Sequence, residues 1–378
     1  MGRKRIGLFF NYNINWIGGT YYWLNWVNAL NTLPDEEKPL LVILATKKDY
    51  SYLKKETGYP YLEFQKWQNG YTLAQKAFNA IFLRTIGRRV WEPKLKGHFD
   101  ALVPSGCGGD WEYGKRMNTI AWFPDFQYAH LPEFYTPQKY VDAAQRALSA
   151  AYLSYKLMLS SEDAAADFHR LFPNSKAKVY IQPFTVTHPN FSDVKKEDVF
   201  EKFAINRPYF YSPNQYWAHK NHSIVIDAVT EIVKRGQKDI LVLFSGKEWD
   251  DRNLDYVPSL KRKVKDLGLE DNIRFLGFLV RKEQLVIMQN AEAVIQPSLF
   301  EGWSTVIEDA QALGTYVIAS NLAVNQEQIQ KNVRFFEPRN VESLVEAILQ
   351  GKFEVEPISY AARRLEQARR FLKMVEDE

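Results

Sequence analysis

The sequence predicts an α/β protein made of two doubly wound domains that face each other across a cleft. Three observations lead to this prediction. The chain has 378 residues, more than a single hydrophobic core normally serves. Short β-branched or aromatic runs alternate with segments of helical period, which is typical of parallel sheets. The alternation also breaks once, near the middle, so we expect one sheet on each side of the break.

The predicted strands follow one another with helical segments between them. In the first half they are "RIGLFF", "PLLVILAT", "FDALVPSG", "NTIAWFP" and "KLMLSS". In the second half they are "PYFYSP", "DILVLFSG", "NIRFLGF", "AEAVIQPS" and "TYVIAS". In open parallel sheets, ligands bind beyond the carboxyl ends of the strands, so we expect functional residues just after these runs.

The segment "KVYIQPFTVTHPNFSDVKKED" loses the helical period and contains Pro183 and Pro189, which mark it as a linker. We therefore place a first domain at 1–186 and a second domain at 187–355. The last residues, 356–378, have the pattern of an amphipathic helix. Its apolar positions could pack on either domain, and we place it on the first.

Composition excludes several classes of protein. The 49 basic and 45 acidic residues leave a net charge of +4, too little to predict nucleic-acid binding. The single Cys107 allows no intramolecular disulfide and no cysteine metal cluster, which favours a reducing, cytoplasmic location. Neither a signal peptide nor a membrane-spanning run is predicted. The basic segment Arg84–His98 is best interpreted as a solvated loop, with contact to anionic lipid at the inner membrane face as the alternative.

The stretch "LFEGWSTVIEDAQALG", Leu299–Gly314, combines a strand end, a glycine turn and a helix start. Backbone amides at such a helix start bind phosphate or sugar oxygens, and here they belong to Gly302, Trp303, Ser304 and Thr305. Glu301 can accept a hydrogen bond from a sugar hydroxyl, and Glu308 can hold two neighbouring hydroxyls of a ribose. Alternatively, Thr305 and Glu308 form a capping box and Glu301 is a solvated turn residue.

Two further segments of the second half fit a nucleotide. Lys220 in "NQYWAHKNH" precedes a predicted helix, where its ammonium group can meet a diphosphate, although an exposed loop lysine is the alternative. Gly246 and Lys247 follow a strand at a point where backbone can approach a ligand. The backbone of Phe278 and Leu279 can read the edge of a base, while core packing is an equal alternative for Phe278.

Two segments of the first half complete the predicted site. Gly18, Gly19 and Thr20 join a strand to a helix and allow close approach of phosphate or acceptor. The dinucleotide fingerprint G-x-G-x-x-G is missing, which disfavours a nicotinamide enzyme. In "AWFPDFQYAHLPEF", Asp125 or His130 could accept a proton or hold the transferred sugar. A structural role for His130 is equally open.

These motifs together resemble the large retaining glycosyltransferase family with the GT-B fold, family 4-like or group 1. The stretch from "NIRFLGF" through "LFEGWSTVIEDAQALG" to "TYVIAS" is similar to its donor-sugar signature, "NQYWAHKNH" to its phosphate loop and "AWFPDFQYAHLPEF" to its acceptor-domain loop. The resemblance implies two Rossmann-like domains, an acceptor-binding one at 1–186 and a nucleotide-sugar-binding one at 187–355. It also implies that Glu308 binds ribose, that Glu301 and the amides of Trp303, Ser304 and Thr305 hold the sugar and diphosphate, that Lys220 is the diphosphate cation, and that Gly19 lies across the cleft.

The sequence departs from the family pattern at three places. Glu301 and Glu308 are one residue closer than the two acids of the commoner pattern. Gln215 stands where many members have an arginine, so Lys220 would neutralise the diphosphate with help from the neutral side chains of Asn214 or Gln215. Pro124 and Asp125 replace a His-Asp pair, which favours Asp125 over His130 as the polar group at the acceptor side.

The resemblance implies a metal-independent transferase without a cofactor. It would move a hexose from a nucleoside diphosphate sugar, with UDP favoured over GDP, to a hydroxyl of a glycan or lipid-linked acceptor. A GT-B epimerase or phosphorylase is one alternative, and a non-catalytic module that binds a nucleotide sugar is the other. Peripheral membrane contact is an alternative for the basic segment, and no nucleic-acid partner is expected.

Overall fold

The computed structural model describes residues 2–13, 17–67, 73–86, 95–105, 118–250, 252–351 and 353–377. Within these ranges the chain forms two parallel sheets, with helices on both faces of each. Cys107 and the central part of the basic segment Arg84–His98, residues 87–94, lie outside the described residues. Arg84, Lys96 and His98 are described and exposed.

The first sheet has seven strands among the described residues, in the order β3-β2-β1-β4-β5-β6-β7, all parallel. They are β1 (Arg5–Phe9), β2 (Leu40–Ala45), β3 (Leu62–Lys66), β4 (Ala101–Ser105), β5 (Thr119–Trp122), β6 (Lys156–Leu159) and β7 (Lys178–Ile181). Strand order reverses between β1 and β4, so a crevice opens beyond the carboxyl ends of these two strands.

Helices connect and cover these strands. They are α1 (Ile17–Leu30), α2 (Lys47–Thr57), α3 (Leu73–Ile86), α4 (Gln127–His130), α5 (Pro137–Leu153) and α6 (Glu162–Leu171). Helix α5 shows why the sequence folds in this way: Thr136 caps it by accepting a hydrogen bond from the Lys139 amide, and Pro137 fits its first turn. Its buried face consists of alanines at helical spacing, which lets the helix lie close to the sheet.

The second sheet has six strands among the described residues, in the order β10-β9-β8-β11-β12-β13. They are β8 (Phe210–Ser212), β9 (Val242–Phe244), β10 (Ile273–Phe275), β11 (Ala293–Gln296), β12 (Val317–Ser320) and β13 (Val333–Phe336). Apolar side chains cover both faces: Val242 and Phe244 of β9 join one buried cluster, and Leu241 and Leu243 join another. The order reverses between β8 and β11, which opens a second crevice.

The helices around this sheet are α7 (Lys196–Lys202), α8 (His222–Lys234), α9 (Tyr256–Asp266), α10 (Arg281–Gln289), α11 (Thr305–Leu313), α12 (Ala323–Gln328) and α13 (Val341–Leu349). Short 3₁₀ turns at Asp35–Glu37, Pro132–Phe134 and Ala218–Lys220 complete the described secondary structure. Within the described residues, no helix combines the length and the apolar character needed to span a membrane.

The last helix, α14 (Tyr360–Glu376), lies on the first domain. The rings of Trp26 and Phe371 meet edge to face at 4.0 Å between centroids. The Asn118 side chain donates a hydrogen bond to the Val375 carbonyl over 2.8 Å, and the ammonium of Lys156 donates to the Met374 carbonyl over 3.1 Å. The chain therefore starts in the first domain, builds the second and returns to the first.

Three strands were not predicted, and all three lie at sheet edges: β3, β7 and β13. Strand β7 falls within the segment interpreted as linker. A second difference concerns Gly18, Gly19 and Thr20, predicted in a loop, which lie in the first turn of α1. Helix α1 thus begins directly at the crevice of the first sheet.

The docking of α14 can be tested by truncating its central aromatic side chain. Phe371 is 2% exposed, and replacing a buried phenylalanine by alanine costs about 3–5 kcal/mol. Phe371→Ala should therefore lower the urea midpoint of the first domain strongly. Phe78→Ala is the matched control, because Phe78 is 53% exposed and its loss should change stability by about 0.5 kcal/mol or less. Equal midpoints for the two variants would show that α14 does not stabilise this domain.

Candidate functional site

A cleft of about 390 Å³ lies where the crevices of the two sheets face each other. Its size is that of a small-molecule site. Residues that follow β5, β8, β9, β10 and β11 line it, together with the start of α1 and the start of α11. The lining includes these residues that the sequence predicted for the site: Gly19, Asp125, Asn214, Gln215, Lys220, Gly246, Lys247, Phe278, Leu279, Glu301, Gly302, Trp303, Ser304 and Thr305.

Lys220 and Glu301 form an ion pair at the switch point of the second sheet, with 2.6 Å between Nζ and Oε1. Lys220 lies in the 3₁₀ turn after β8, and Glu301 lies in the turn after β11. The side-chain amide of Gln296 donates a second hydrogen bond to the same oxygen of Glu301. Both charged side chains are mostly buried, so their positions are fixed before any ligand enters.

A glycine allows the loops after β8 and β9 to touch. A Cβ atom at Gly246 would lie 2.1 Å from the carbonyl oxygen of Asn214, a distance that no side chain permits. The next residue, Lys247, places its ammonium 5.0 Å from the centre of the Trp249 ring. These loops form the part of the cleft wall beside Phe278, whose side chain is 71% exposed at the rim.

The two domains meet at Gly302 and Asp125. A Cβ atom at Gly302 would lie 2.7 Å from the Pro124 carbonyl oxygen and 2.8 Å from the Cβ of Asp125. The Asp125 carboxylate accepts a hydrogen bond from the Gln127 amide over 3.0 Å. Burial raises the pKa of Asp125, and the negative charge of Glu301 raises it further. The hydrogen bond from Gln127 and the positive charge of Lys220 lower it, but the effects that raise the pKa are larger. Asp125 is thus a carboxyl group placed directly against the turn that carries Glu301.

The sequence interpretation missed a third acid in the cleft, Asp309. Its carboxylate bonds to the guanidinium of Arg281, and one oxygen lies 2.9 Å from Nε2 of His188. Burial alone would raise the pKa of Asp309, but Arg281 and His188 outweigh it and hold the pKa below its usual value. Arg281 also lies over the ring of Tyr21 from the first domain, at 5.8 Å.

A signal for Asp309 was present in the sequence. Glu301 and Glu308 are one residue closer than the acids of the family pattern, and Asp309 restores the commoner spacing. Arg281 and His188 gave no local signal, because they meet Asp309 only after folding.

The structure places Glu308 differently from the prediction. It is 0% exposed and does not line the cleft. Its carboxylate accepts hydrogen bonds from the Tyr360 hydroxyl, from Arg363 over 3.0 Å and from Gln328 over 3.1 Å. Burial raises the pKa of Glu308, and these three partners only partly offset the shift. The side chain points away from the ligand side because Glu308 and Asp309, as neighbours on a helix, face in different directions.

The capping-box alternative does not describe this helix either. Ser304 is the N-cap of α11, and its hydroxyl accepts the Ile307 amide, so Thr305 is already the first helical residue. The backbone amide of Ser304 donates to the Gln328 side chain over 2.9 Å and is therefore occupied.

Two other predicted residues lie off the cleft. Thr20 is buried, and its hydroxyl accepts a hydrogen bond from the Asn13 amide over 3.0 Å. His130 lies behind Phe300, with its Nε2 atom 2.5 Å from an Asp167 oxygen. This contact fits the structural alternative for His130, and Asp125 is the member of that loop which reaches the cleft.

The wall on the first domain is largely aromatic. Tyr21, Tyr22, Trp122 and Phe184 line it, and the Tyr22 and Trp122 rings stack at 4.3 Å. Trp303 of the second domain donates its indole N–H to the Phe184 carbonyl over 3.0 Å, which ties the two walls together. No group of three or more metal-ligating side chains occurs in the parts of the chain that the structure describes. The described cleft can thus bind an anionic group at Lys220 and a polar organic ligand against its aromatic wall.

The second domain is similar in sequence to known proteins. Residues 194–352 match the model of the family described as glycosyl transferases group 1. The chain is 28% identical over 171 residues to the O-antigen chain mannosyltransferase RfbU of Salmonella typhimurium, an alignment that covers 42% of this chain and 45% of RfbU. It is 23% identical over 130 residues to the mannosylfructose-phosphate synthase of Agrobacterium fabrum, covering 34% and 29% of the two chains. The chain therefore spans less than half the length of these curated relatives.

The fold is shared over a longer range than the sequence. The crystal structure of Anabaena Alr3699/HepE in complex with UDP and glucose superposes with a TM-score of 0.64 at 16% identity, covering 99% of this chain and 98% of that one. A glycosyltransferase from Rickettsia africae superposes with a TM-score of 0.63 at 15% identity, covering 100% and 94%. The chain therefore has the GT-B fold, and its residues 194–352 are similar to the group 1 glycosyltransferases.

Proposed function

We propose that the protein transfers a hexose from a nucleoside diphosphate sugar to a hydroxyl of a glycan or lipid-linked acceptor, with retention at the anomeric carbon. The observation that carries this proposal is the convergence of Lys220, Glu301 and the start of α11 at the strand-order switch of the second sheet. Asp125 of the first domain faces this group across the cleft. A cation and a helix start suit a diphosphate, and the opposite wall leaves a place for the acceptor.

In this proposal the nucleotide lies on the second domain. Asp309 takes the two ribose hydroxyls, since it is the acid of α11 that lines the cleft. The diphosphate lies against Lys220 and the backbone at Gly302 and Thr305, and the base lies beside Phe278 and Leu279. Burial and Lys220 lower the pKa of His219, also in the lining, well below its usual value, so Lys220 is not joined by an imidazolium charge.

The transfer step forms a bond from the acceptor oxygen to the anomeric carbon and breaks the bond from that carbon to the diphosphate oxygen. Lys220 and the start of α11 stabilise the charge that develops on the leaving diphosphate, a role for which no metal or cofactor is required. Glu301 accepts hydrogen bonds from the transferred sugar. Asp125 accepts the acceptor's proton, since its raised pKa brings it nearer to that of a useful base.

The choice of UDP and of a hexose rests on proteins similar to this one. HepE, which shares the fold, was crystallised with UDP and glucose. Two of the curated relatives are named for a mannosyl group, which is a hexose, and one of these is named as an O-antigen chain mannosyltransferase. UDP is therefore the donor nucleotide that we favour, GDP is the second, and a polysaccharide precursor is the expected acceptor.

The donor site can be tested by thermal unfolding with UDP, GDP, ADP, TDP and CMP. A ligand at 100 times its dissociation constant adds about 2.7 kcal/mol of stability, and in a domain of this size each kcal/mol raises Tm by roughly 2–4 °C. One nucleoside diphosphate should raise the Tm of the native chain, and the shift should vanish in Lys220→Ala and in Asp309→Asn.

Lys202→Ala is the matched control for this experiment. It removes the same charge from an ion pair with Glu283, and neither residue of this pair lines the cleft, so the nucleotide shift should be retained. A native chain that responds to none of the nucleotides would refute the donor site. Binding that is normal in both cleft variants would place the nucleotide elsewhere.

Asp125→Asn should lower transfer and stabilise the protein at neutral pH. Burial raises the pKa of Asp125 in the folded state. The contribution of Asp125 to the free energy of unfolding is therefore complete below the pKa of the unfolded chain, about 3.9, and is lost as the pH rises through the pKa of the folded state. The asparagine variant should therefore be more stable than the native chain at pH 7, and the difference should shrink toward pH 4. Loss of a proton acceptor should slow transfer about 10²–10⁴-fold.

Urea unfolding at pH 4 and pH 7 and donor turnover measure these two effects. Asp266→Asn serves as the control, because Asp266 is exposed on α9 and its change should alter neither quantity. Transfer by Asp125→Asn at the native rate would remove Asp125 from the mechanism. A variant less stable than the native chain at pH 7 would contradict the cost of burying this carboxylate.

A further inference from the structure

The chain crosses between its domains twice, and residues in the first crossing and directly after the second contact the N-terminal half of α11. The first crossing is the segment 182–195, between β7 and α7, and the second is 350–359, between α13 and α14. Contacts made by these two segments restrict how the domains can move against each other. The contacts on α11 are made to Glu308 and Asp309, which are adjacent in sequence.

The first crossing is fixed to both domains. The Thr187 amide donates to the Asn25 side chain on α1 over 2.9 Å. The next residue, His188, bonds to Asp309 on α11. Two consecutive residues therefore contact the first and the second domain, respectively.

The second crossing ends at Tyr360, whose hydroxyl joins three parts of the chain. It accepts the backbone N–H of Val186 over 2.8 Å and donates to the Glu308 carboxylate. Arg363, one turn further along α14, donates to Glu308 over 3.0 Å and to Gln311 over 2.9 Å. Tyr360 is 6% exposed and Glu308 is fully buried, so water cannot replace these bonds without an opening of the interface.

The other side of the same helix turn forms the cleft. Ser304, Thr305 and Asp309 line it, while Glu308 faces α14. A displacement of α14 must therefore move the helix start that faces the ligand. Conversely, α14 is fixed to the first domain through Phe371 and Val375.

We propose that Tyr360 and Glu308 are positioning residues for transfer: their buried contact sets the distance between the donor loop at Gly302 and Asp125 on the opposite wall. The part of this inference that concerns catalysis rests on the proposed function. The part that concerns the arrangement of the domains does not. Neither residue touches the cleft, and both act through α11. The contact at Gly302, where a single added carbon atom would lie 2.7 Å from the Pro124 carbonyl, shows how little displacement the two walls tolerate.

A buried carboxylate suits this role because its geometry is demanding. Burying Glu308 carries a desolvation cost that is offset only while Tyr360, Arg363 and Gln328 all donate to it. A shift of α14 would leave the charge unpaired, so the contact favours one arrangement of the domains over its neighbours. An apolar contact of the same size would allow α14 to slide along α11.

The test compares Tyr360→Phe and Glu308→Gln with the native chain in two measurements. The first measures the domain arrangement without any substrate. Spin labels at Lys54→Cys on α2 and Lys265→Cys on α9, both exposed, report the interdomain distance in a Cys107→Ser background. The native chain should give one narrow distance distribution, and both variants should give a broader or displaced one.

The second measurement separates turnover from binding. If the contact positions the two walls, both variants should lower kcat at least about 10-fold while the dissociation constant of the donor nucleotide changes by no more than about 2-fold. The double variant should be no slower than the slower single variant, because the two residues form one contact. Tyr209→Phe is the matched control: it also loses a buried hydroxyl bond, to the Ile287 carbonyl over 2.8 Å, but within the second domain alone. It should change neither the distance distribution nor kcat.

The outcomes distinguish this inference from the proposed function. Unchanged distance distributions in both variants would overturn the inference, as would unchanged kcat or a nucleotide affinity that falls in parallel with kcat. If the native chain binds no nucleotide, the proposed function fails. The distance measurement still decides whether Tyr360 and Glu308 fix the domains.

Discussion

The arrangement of this protein depends on the first turn of α11, where a buried carboxylate and a cleft carboxylate occupy consecutive positions. Glu308 is enclosed by donors from α14, and Asp309 is held by Arg281 and His188. Burial raises the pKa of Glu308, while burial of Asp309 is outweighed by its cationic neighbours, so the pKa of Asp309 is lowered. Two acids of similar chemistry thus acquire different roles from their surroundings. Glu308 binds α11 to α14, and Asp309 lines the cleft.

The sequence was sufficient for the central strands and insufficient for three strands at the edges of the sheets. A central strand of a parallel sheet is buried on both faces, so β2 and β11 are continuous apolar runs. The edge strand β3 has the sequence LEFQK and is largely exposed, and β7 begins with an exposed lysine. Charged side chains at an edge prevent association with other chains, but they also interrupt the apolar run by which a strand is recognised in a sequence. For the same reason β7 was interpreted as linker.

The site was predictable where a motif is local and not where its partners are distant. Strand end, glycine and helix start adjoin in the stretch that carries Glu301 and Gly302, so their place at the cleft follows from spacing. The environment of Glu308 depends on Tyr360, 52 residues away, and that of Asp309 on His188, 121 residues away. Periodicity alone could not decide which of two adjacent acids faces the ligand. The family spacing contained that information, because Asp309 and not Glu308 stands at the commoner interval from Glu301.

The charges of the cleft explain how it can stay folded without a ligand and still receive an anion. Within the described lining, Lys220 is paired with Glu301 and Arg281 with Asp309, so neither pair leaves a buried charge uncompensated. Asp125 is the third acid of the described lining, and burial raises its pKa. In the proposed function, a diphosphate that approaches Lys220 therefore meets two acids, Glu301 and Asp309, whose charges are already compensated by cations. Glu301 holds Lys220 in place, so a bound anion would contact an ammonium group that is already oriented. The conformational entropy of the Lys220 side chain is lost on folding and therefore does not oppose binding.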